Sequence, residues 1–173
     1  MSKNSLLRMI EKRRAGIHVG IPSFCCANKI VIEALLDQSK RFDDTVLIEG
    51  TSNQVNQFGG YTGMTPMEFK HYTYAIADRI AFDREKIILG GDHMGPLPWC
   101  NLPADEAMEN AKVLVKLCVE AGYKKIHLDT SMRLGDDPID EPLQDSIIAE
   151  RGAILFEECE KAYQNMLKDN PDE

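Results

Sequence analysis

The feature that most constrains the fold of this chain is a repeat of short apolar runs and amphipathic segments. Each apolar run is followed by a segment whose apolar residues recur at helical spacing, and the units recur about every 30 to 40 residues. The runs predicted to be strands are 17–21, 45–50, 86–91 and 124–129. Consecutive βα units require a parallel sheet with right-handed crossovers, so we expect an α/β protein of four βα units.

Capping signals predict where two of the helices begin. Asn28 precedes the segment 29–41 and is a favourable N-cap residue. Thr65, Pro66 and Glu68 have the spacing of a capping box, with proline at the first helical position. These signals place a helix after each of the first two predicted strands.

Two architectures are compatible with this order: an open doubly wound sheet and part of a (β/α)8 barrel. The long polar loops follow strands and the short connections follow helices, which is how a barrel builds its active-site face. The first turn also has no GxGxxG sequence, so the dinucleotide-binding form of the open sheet has little support. The pattern therefore favours the barrel.

The length of the chain matches only half of such a barrel. A complete barrel takes about 250 residues, whereas this chain has 173. We therefore predict one incomplete domain, 1–173, containing strands one to four and their helices. A half barrel leaves an unpaired edge on its first and fourth strands. We therefore expect either assembly with another chain through those edges, self-association included, or a chain truncated before a fifth strand.

Composition excludes several classes of protein. A net charge of -8, with acidic residues spread through the helices, argues against a nucleic-acid surface. No apolar run approaches the roughly 20 residues that span a bilayer, and the N-terminus lacks the apolar region of a secretory signal. We predict a cytoplasmic protein. The chain has five cysteines, an odd number, and none of them form a CxxC motif. We therefore expect neither a disulfide framework nor a metal site built from cysteines.

Polar residues at strand ends are the candidates for chemistry. Glu49 ends the second strand, Asp92 and His93 end the third, and Asp129 ends the fourth, so the four side chains would converge at one barrel mouth. In one interpretation His93 binds a divalent metal and Asp92 transfers protons. In the other, Asp92 caps its loop through backbone N–H groups and His93 is a partly buried structural residue. Spacing alone leaves both open, because a DH dipeptide is a weak motif.

The neighbouring positions offer further candidates. Glu49 follows a buried run, where a carboxylate is costly unless it is paired or hydrated. His127 and Asp129 share a strand face, so both could point into the barrel. The loop after the second strand could hold a phosphate on its backbone N–H groups, or could be a mobile connection. The predicted substrate contacts are Asn53, Gly59, Gly60 and Ser131.

Three segments of the chain resemble a known family. They are VLIEGTSNQVNQFGGYTGMTP, ILGGDHMGPLPW and KIHLDTSM, and the similarity runs from about Gly16 to Arg151. They are similar to the GatZ/KbaZ family, the accessory subunit of class II tagatose-1,6-bisphosphate aldolase. The resemblance implies a (β/α)8 barrel related to zinc-dependent class II aldolases.

The resemblance also implies a role. Family members support the folding and activity of a separate catalytic aldolase subunit in galactitol and N-acetylgalactosamine breakdown, and their pathway handles sugar phosphates. By analogy with the catalytic enzymes, Asp92 corresponds to the proton-transferring aspartate and His93 to the adjacent zinc ligand. The remaining ligands lie on later strands, so any zinc would have an incomplete ligand set here. Family members have also been described as tagatose-6-phosphate kinases. This sequence contains no P-loop motif, GxxxxGK(S/T), that would support such an activity.

Three hypotheses follow. The first is a non-catalytic partner of the catalytic aldolase subunit. The second is a metal-dependent ketose or sugar-phosphate aldolase or epimerase that uses Glu49, Asp92, His93 and Asp129. The third is an inert truncated product. Whether the chain is an enzyme is left open by the sequence, although catalytic activity of this chain alone is not expected.

Overall fold

The computed structural model describes residues 5–169 as five α-helices, three short 3-10 helices and one sheet. The helices are α1 (Ser5–Arg14), α2 (Lys29–Phe42), α3 (Pro66–Arg79), α4 (Ala104–Glu120) and α5 (Asp145–Asp169). The strands are β1 (Ser23–Cys25), β2 (Val46–Thr51), β3 (Ile87–Met94) and β4 (Lys125–Leu128). Helices α2, α3, α4 and α5 each follow one strand, as the sequence predicts.

The sheet is parallel, and its strands lie in chain order β1-β2-β3-β4. A doubly wound sheet would reverse its strand order at a switch point, and this one does not. Sequential order with a helix after every strand is the arrangement of the first four units of a (β/α)8 barrel, so that prediction is confirmed. Within residues 5–169, β1 and β4 each pair with a single strand.

The main hydrophobic core lies between the helices and the outer face of the sheet. Alternate residues of β2 and β3 point outward, and side chains from α3, α4 and α5 cover them. The members with almost no exposed surface include Val46, Ile48, Leu89, Phe69, Leu114, Val115 and Leu155. This core fixes the carboxyl ends of the strands, where the candidate site lies.

The two predicted N-caps are present. Asn28 accepts hydrogen bonds from the backbone N–H groups of Ile30 and Val31. At α3 the Thr65 hydroxyl accepts from the Glu68 N–H, and the Glu68 carboxylate accepts from the Thr65 N–H. Both orphan donors of the helix start are therefore satisfied locally.

Two strand boundaries differ from the prediction. The first strand was expected at 17–21, but β1 is Ser23–Cys25, and Ile17 is 52% exposed. Alternating Ile and Val residues gave the strand pattern, whereas pairing with Leu47 to Glu49 of β2 selects the following residues instead. The third strand was expected to end at Gly91, but it continues to Met94 because Gly91 and Asp92 still pair with β2.

The loop between β4 and α5 is attached to α5 by a buried ion pair. The two Arg151 guanidinium nitrogens lie 2.8 and 2.7 Å from the two Asp137 carboxylate oxygens, and both side chains are under 10% exposed. The Thr130 hydroxyl also donates to the Ile148 carbonyl at 2.8 Å. The segment that follows Asp129 is therefore held in place.

None of the described helices combines the length and apolar character that a bilayer crossing requires.

Candidate functional site at the carboxyl ends of the strands

Two crossed Asp–His pairs join the ends of β3 and β4. His127 Nδ1 lies 2.9 Å from Asp92 Oδ1, and His93 Nδ1 lies 2.8 Å from Asp129 Oδ2. Asp92 and His93 belong to β3, whereas His127 belongs to β4 and Asp129 directly follows it, so each pair links the ends of the two strands. The two rings are tilted, with 4.6 Å between their centroids. The structure thus brings together the predicted residues Asp92, His93 and Asp129 with His127, which the strand period places on the same face as Asp129.

The backbone at His93 explains how adjacent residues both reach β4. Neighbouring strand residues normally point to opposite faces. His93 has φ of 48°, a left-handed conformation uncommon for residues other than glycine, and the β3–β4 register shifts between Gly91 and Met94. The Ser52 hydroxyl donates to the His93 carbonyl at 3.0 Å. This local irregularity directs both Asp92 and His93 toward the same neighbour.

Close backbone approach also shapes this end of the sheet. A Cβ atom on Gly95 would lie 1.8 Å from the Asp129 carbonyl oxygen, so only glycine fits there. The Asp129 carboxylate in turn accepts hydrogen bonds from the Ser131 N–H at 3.0 Å and from its hydroxyl at 2.6 Å. Asp129 is thereby oriented toward His93.

Hydrogen bonding shifts the pKa values of both groups in the His93 pair. Partial burial of Asp129 raises its carboxyl pKa, but hydrogen bonds from Ser131 and His93 outweigh burial and bring it to about 2. The hydrogen bond to Asp129 raises the pKa of His93. The pair therefore favours an ionised aspartate that stabilises the protonated histidine.

Asp92 is ionised by a similar balance of effects. Desolvation raises its carboxyl pKa, whereas the His127 hydrogen bond and the nearby Lys125 ammonium lower it, and the net direction is downward. Its carboxylate contacts side chains of β4. This geometry differs from the alternative in which Asp92 caps its own loop.

Glu49 forms a second charged cluster, closer to the middle of the sheet than the two Asp–His pairs. It is 2% exposed, and its carboxylate accepts hydrogen bonds from Ser23 on β1 and Lys125 on β4. Gly90 stands between Glu49 and Lys125 in the register, and a Cβ there would lie 2.7 Å from Glu49 Oε1. The absence of a side chain at Gly90 lets the ion pair cross β3.

Lys125 connects the two clusters. Its Nζ contacts Glu49 and also lies 3.3 Å from Asp92 Oδ1. One ammonium thus serves carboxylates from β2 and β3. Lys125 is not among the predicted site residues, although the two-residue strand period that links His127 with Asp129 extends back to it.

Asp92, His93 and His127 have the donor types of a zinc site. Their ligand atoms all lie within 4.8 Å of one another. Two imidazoles and a carboxylate suit Zn²⁺, and the Asp129 carboxylate on His93 Nδ1 resembles the outer partner that metal-binding histidines usually have. The residues therefore fit the metal in chemistry, with Lys125 as a competing cation beside Asp92. The zinc assignment stays a prediction.

The loop after β2 uses many of its backbone N–H groups internally. Asn56 Oδ1 accepts from Phe58 and Gly60, and the Asn53 and Gln54 carbonyls accept from Tyr61 and Thr62. A phosphate at this loop would have to compete with these bonds. The assignment of Asn53, Gly59, Gly60 and Ser131 to substrate contacts remains untested.

Comparisons with known proteins agree with this architecture. The model of the family described as D-tagatose-1,6-bisphosphate aldolase subunit GatZ/KbaZ-like matches residues 6–172. The D-tagatose-1,6-bisphosphate aldolase subunits GatZ of Escherichia coli O1:K1 and of Shigella boydii serotype 18 are each 54% identical over 147 residues, covering 85% of this chain and 34% of theirs.

A solved structure is also similar. It is the crystal structure of a probable tagatose 6 phosphate kinase from Sinorhizobium meliloti 1021, with 53% identity and a TM-score of 0.80 over 83% of this chain and 37% of that chain. The chain thus spans about a third of the length of the curated relatives that it matches. The extent of the family match and the identity to these relatives show that the chain belongs to the GatZ/KbaZ-like family of D-tagatose-1,6-bisphosphate aldolase subunits.

Proposed function

We propose that this chain supplies the first four βα units of an accessory aldolase subunit, which stabilises and activates a separate catalytic class II tagatose-1,6-bisphosphate aldolase subunit. The observation that carries the proposal is the family match over 6–172 to proteins named as subunits of that aldolase. We place the role in sugar-phosphate catabolism, in the breakdown of galactitol and N-acetylgalactosamine.

The state of the candidate site supports a role other than catalysis. Lys125 holds Glu49 and Asp92 in ion pairs, and Asp129 is held by Ser131 and His93. A general base must accept a proton from substrate, and a carboxylate whose pKa is held low is a weak base. For Asp92 and Asp129 that direction is downward.

Co-expression with a catalytic subunit tests the accessory role. A tagged catalytic class II tagatose-1,6-bisphosphate aldolase is expressed alone, with this chain, and with a full-length relative as positive control. We expect this chain to co-purify, and to raise both the aldolase specific activity and the thermal midpoint of the catalytic subunit. If the full-length relative gives these effects and this chain gives none, the proposal does not hold for this chain.

A metal-dependent ketose or sugar-phosphate aldolase or epimerase is the second candidate function. The observation that favours it is the proximity of Asp92, His93 and His127, whose donor atoms lie within 4.8 Å. A metal bound there would polarise a substrate carbonyl. Asp92 would then be positioned to move the substrate proton.

Metal content and turnover separate the two functions. The purified chain is dialysed against Zn²⁺ or Mn²⁺, its bound metal is counted, and tagatose-1,6-bisphosphate cleavage is assayed without any catalytic subunit. Stoichiometric metal with cleavage that is lost in Asp92→Asn would support the enzyme. No cleavage by this chain alone, together with a higher specific activity of the catalytic subunit when this chain is added, would support the accessory role.

A further inference from the structure

The Lys125 side chain lies between carboxylates that belong to two neighbouring strands, β2 and β3. Its Nζ contacts the Glu49 carboxylate from β2 and lies 3.3 Å from Asp92 Oδ1 from β3. Lys125 itself is 29% exposed, whereas Glu49 is 2% exposed and also accepts a hydrogen bond from the Ser23 hydroxyl. An ionised carboxylate buried to this degree needs a cation or several hydrogen bonds.

The same Asp92 oxygen takes part in both interactions at this site. Oδ1 is 2.9 Å from His127 Nδ1 and 3.3 Å from Lys125 Nζ. A divalent ion shared by Asp92, His93 and His127 would therefore lie close to the ammonium. Two positive charges a few ångströms apart in a partly buried site repel strongly, so the ion and the ammonium compete for Asp92.

We propose that Lys125 is the resident cation of this site, and that its ammonium neutralises Glu49 and Asp92 and keeps a divalent metal from binding tightly at Asp92, His93 and His127. The proposal builds on the accessory role and gives it a physical cause. The protein has the donor atoms of a metal centre, but the Lys125 ammonium supplies the positive charge that a metal ion would otherwise supply. Removing that charge should turn the same residues into a metal site.

Zn²⁺ titration calorimetry and Co²⁺ absorption on the 173-residue chain test this inference. The variants are Lys125→Met, which removes the charge at similar length, and Lys125→Arg, which retains it. Lys124→Met is the matched control, because Lys124 is adjacent, also a lysine and exposed. We expect Lys125→Met to bind Zn²⁺ at least about tenfold more tightly than the unmodified chain. Lys124→Met and Lys125→Arg should bind it as the unmodified chain does.

A second substitution identifies the ligands. The combination Lys125→Met with His127→Asn should lose the gained affinity and the Co²⁺ bands of an imidazole ligand. The combination Lys125→Met with Glu49→Gln removes both members of the ion pair, so it serves as the folded reference if Lys125→Met alone is unstable. It should also bind Zn²⁺ more tightly than the unmodified chain.

Two results would overturn the proposal. One is that Lys125→Met and the combination of Lys125→Met with Glu49→Gln bind Zn²⁺ no more tightly than the unmodified chain, and the other is a gain that survives His127→Asn. The accessory role is measured separately, by co-purification of the unmodified chain and Lys124→Met with the catalytic aldolase subunit. If co-purification fails while Lys125→Met gains metal, the accessory role is wrong and the assignment of Lys125 stands.

Discussion

The two faces of the same sheet are stabilised in opposite ways. On the outer face, Val46 and Ile48 of β2 pack among apolar side chains of the helices. On the inner face, Glu49 of the same strand pairs with Lys125 and Ser23. On the outer face, each buried apolar group stabilises the folded state. On the inner face, the desolvation of the charged groups opposes folding and the attraction between them offsets it.

This difference predicts how each face responds to substitution. Losing an apolar side chain from the outer face leaves a cavity that no second substitution nearby readily repairs. Losing one member of an inner ion pair leaves a buried charge, and removing its partner as well relieves most of that cost. On the inner face, loss of one member of an ion pair is therefore strongly destabilising, whereas replacement of both members together is tolerated.

The largest effect is expected on the outer side of the sheet. Phe69 of α3 has no exposed surface, so Phe69→Ala should lower the free energy of unfolding by about 3–5 kcal/mol. The measurement is urea denaturation followed by circular dichroism. Phe156→Ala is the control, because Phe156 is 57% exposed and should change stability little. Equal losses in the two variants would contradict the assigned core.

The next largest effect tests the inner face. Lys125→Met leaves Glu49 buried without its cation and should cost about 3 kcal/mol of unfolding free energy. Adding Glu49→Gln should restore much of that loss in the same denaturation assay. If the double variant is as unstable as the sum of its two single variants, the inner face behaves like the apolar core and the comparison fails.

An ion pair away from both faces gives a pH test. The Arg151 hydrogen bonds lower the pKa of Asp137, with the Leu134 N–H adding to the effect. The unfolded chain therefore takes up this proton first, so the stabilisation is complete at neutral pH and is lost as the pH falls below about 4. In the Asp137→Asn variant, the free energy of unfolding should fall less steeply as the pH drops below about 4, as measured by urea denaturation at a series of pH values. An unchanged acid dependence of the unfolding free energy would show that other carboxylates determine it.

The smallest effect concerns a contact that belongs to neither face. Thr65→Ala removes the N-cap of α3 and should cost about 1 kcal/mol. Thr65→Ser keeps the hydroxyl and should cost less, measured by thermal melting of both variants. A loss from Thr65→Ala as large as that from Phe69→Ala would mean that the cap supports more than the first turn of the helix.

Part of the site follows directly from sequence position. Parallel strands end at one edge of a sheet, so residues at the ends of successive strands are near one another. That rule placed Asp92, His93 and Asp129 together, and their chemical roles remain predictions. It did not select Lys125, because Lys125 begins its strand and reaches the cluster only by crossing the space above Gly90.

Local sequence was enough to predict the order of strands and helices, the caps at Asn28 and Thr65, and the resemblance to the aldolase-subunit family. These depend on local periodicity, on hydrogen bonds between residues a few positions apart, and on motifs that can be compared directly. Three further features could be seen only in the folded chain: β1 begins at Ser23, His93 takes a left-handed conformation, and Lys125 joins Glu49 to Asp92. The physical reason is that strand register, bulges and ion pairs depend on residues more than 20 positions away, whose approach no local pattern encodes.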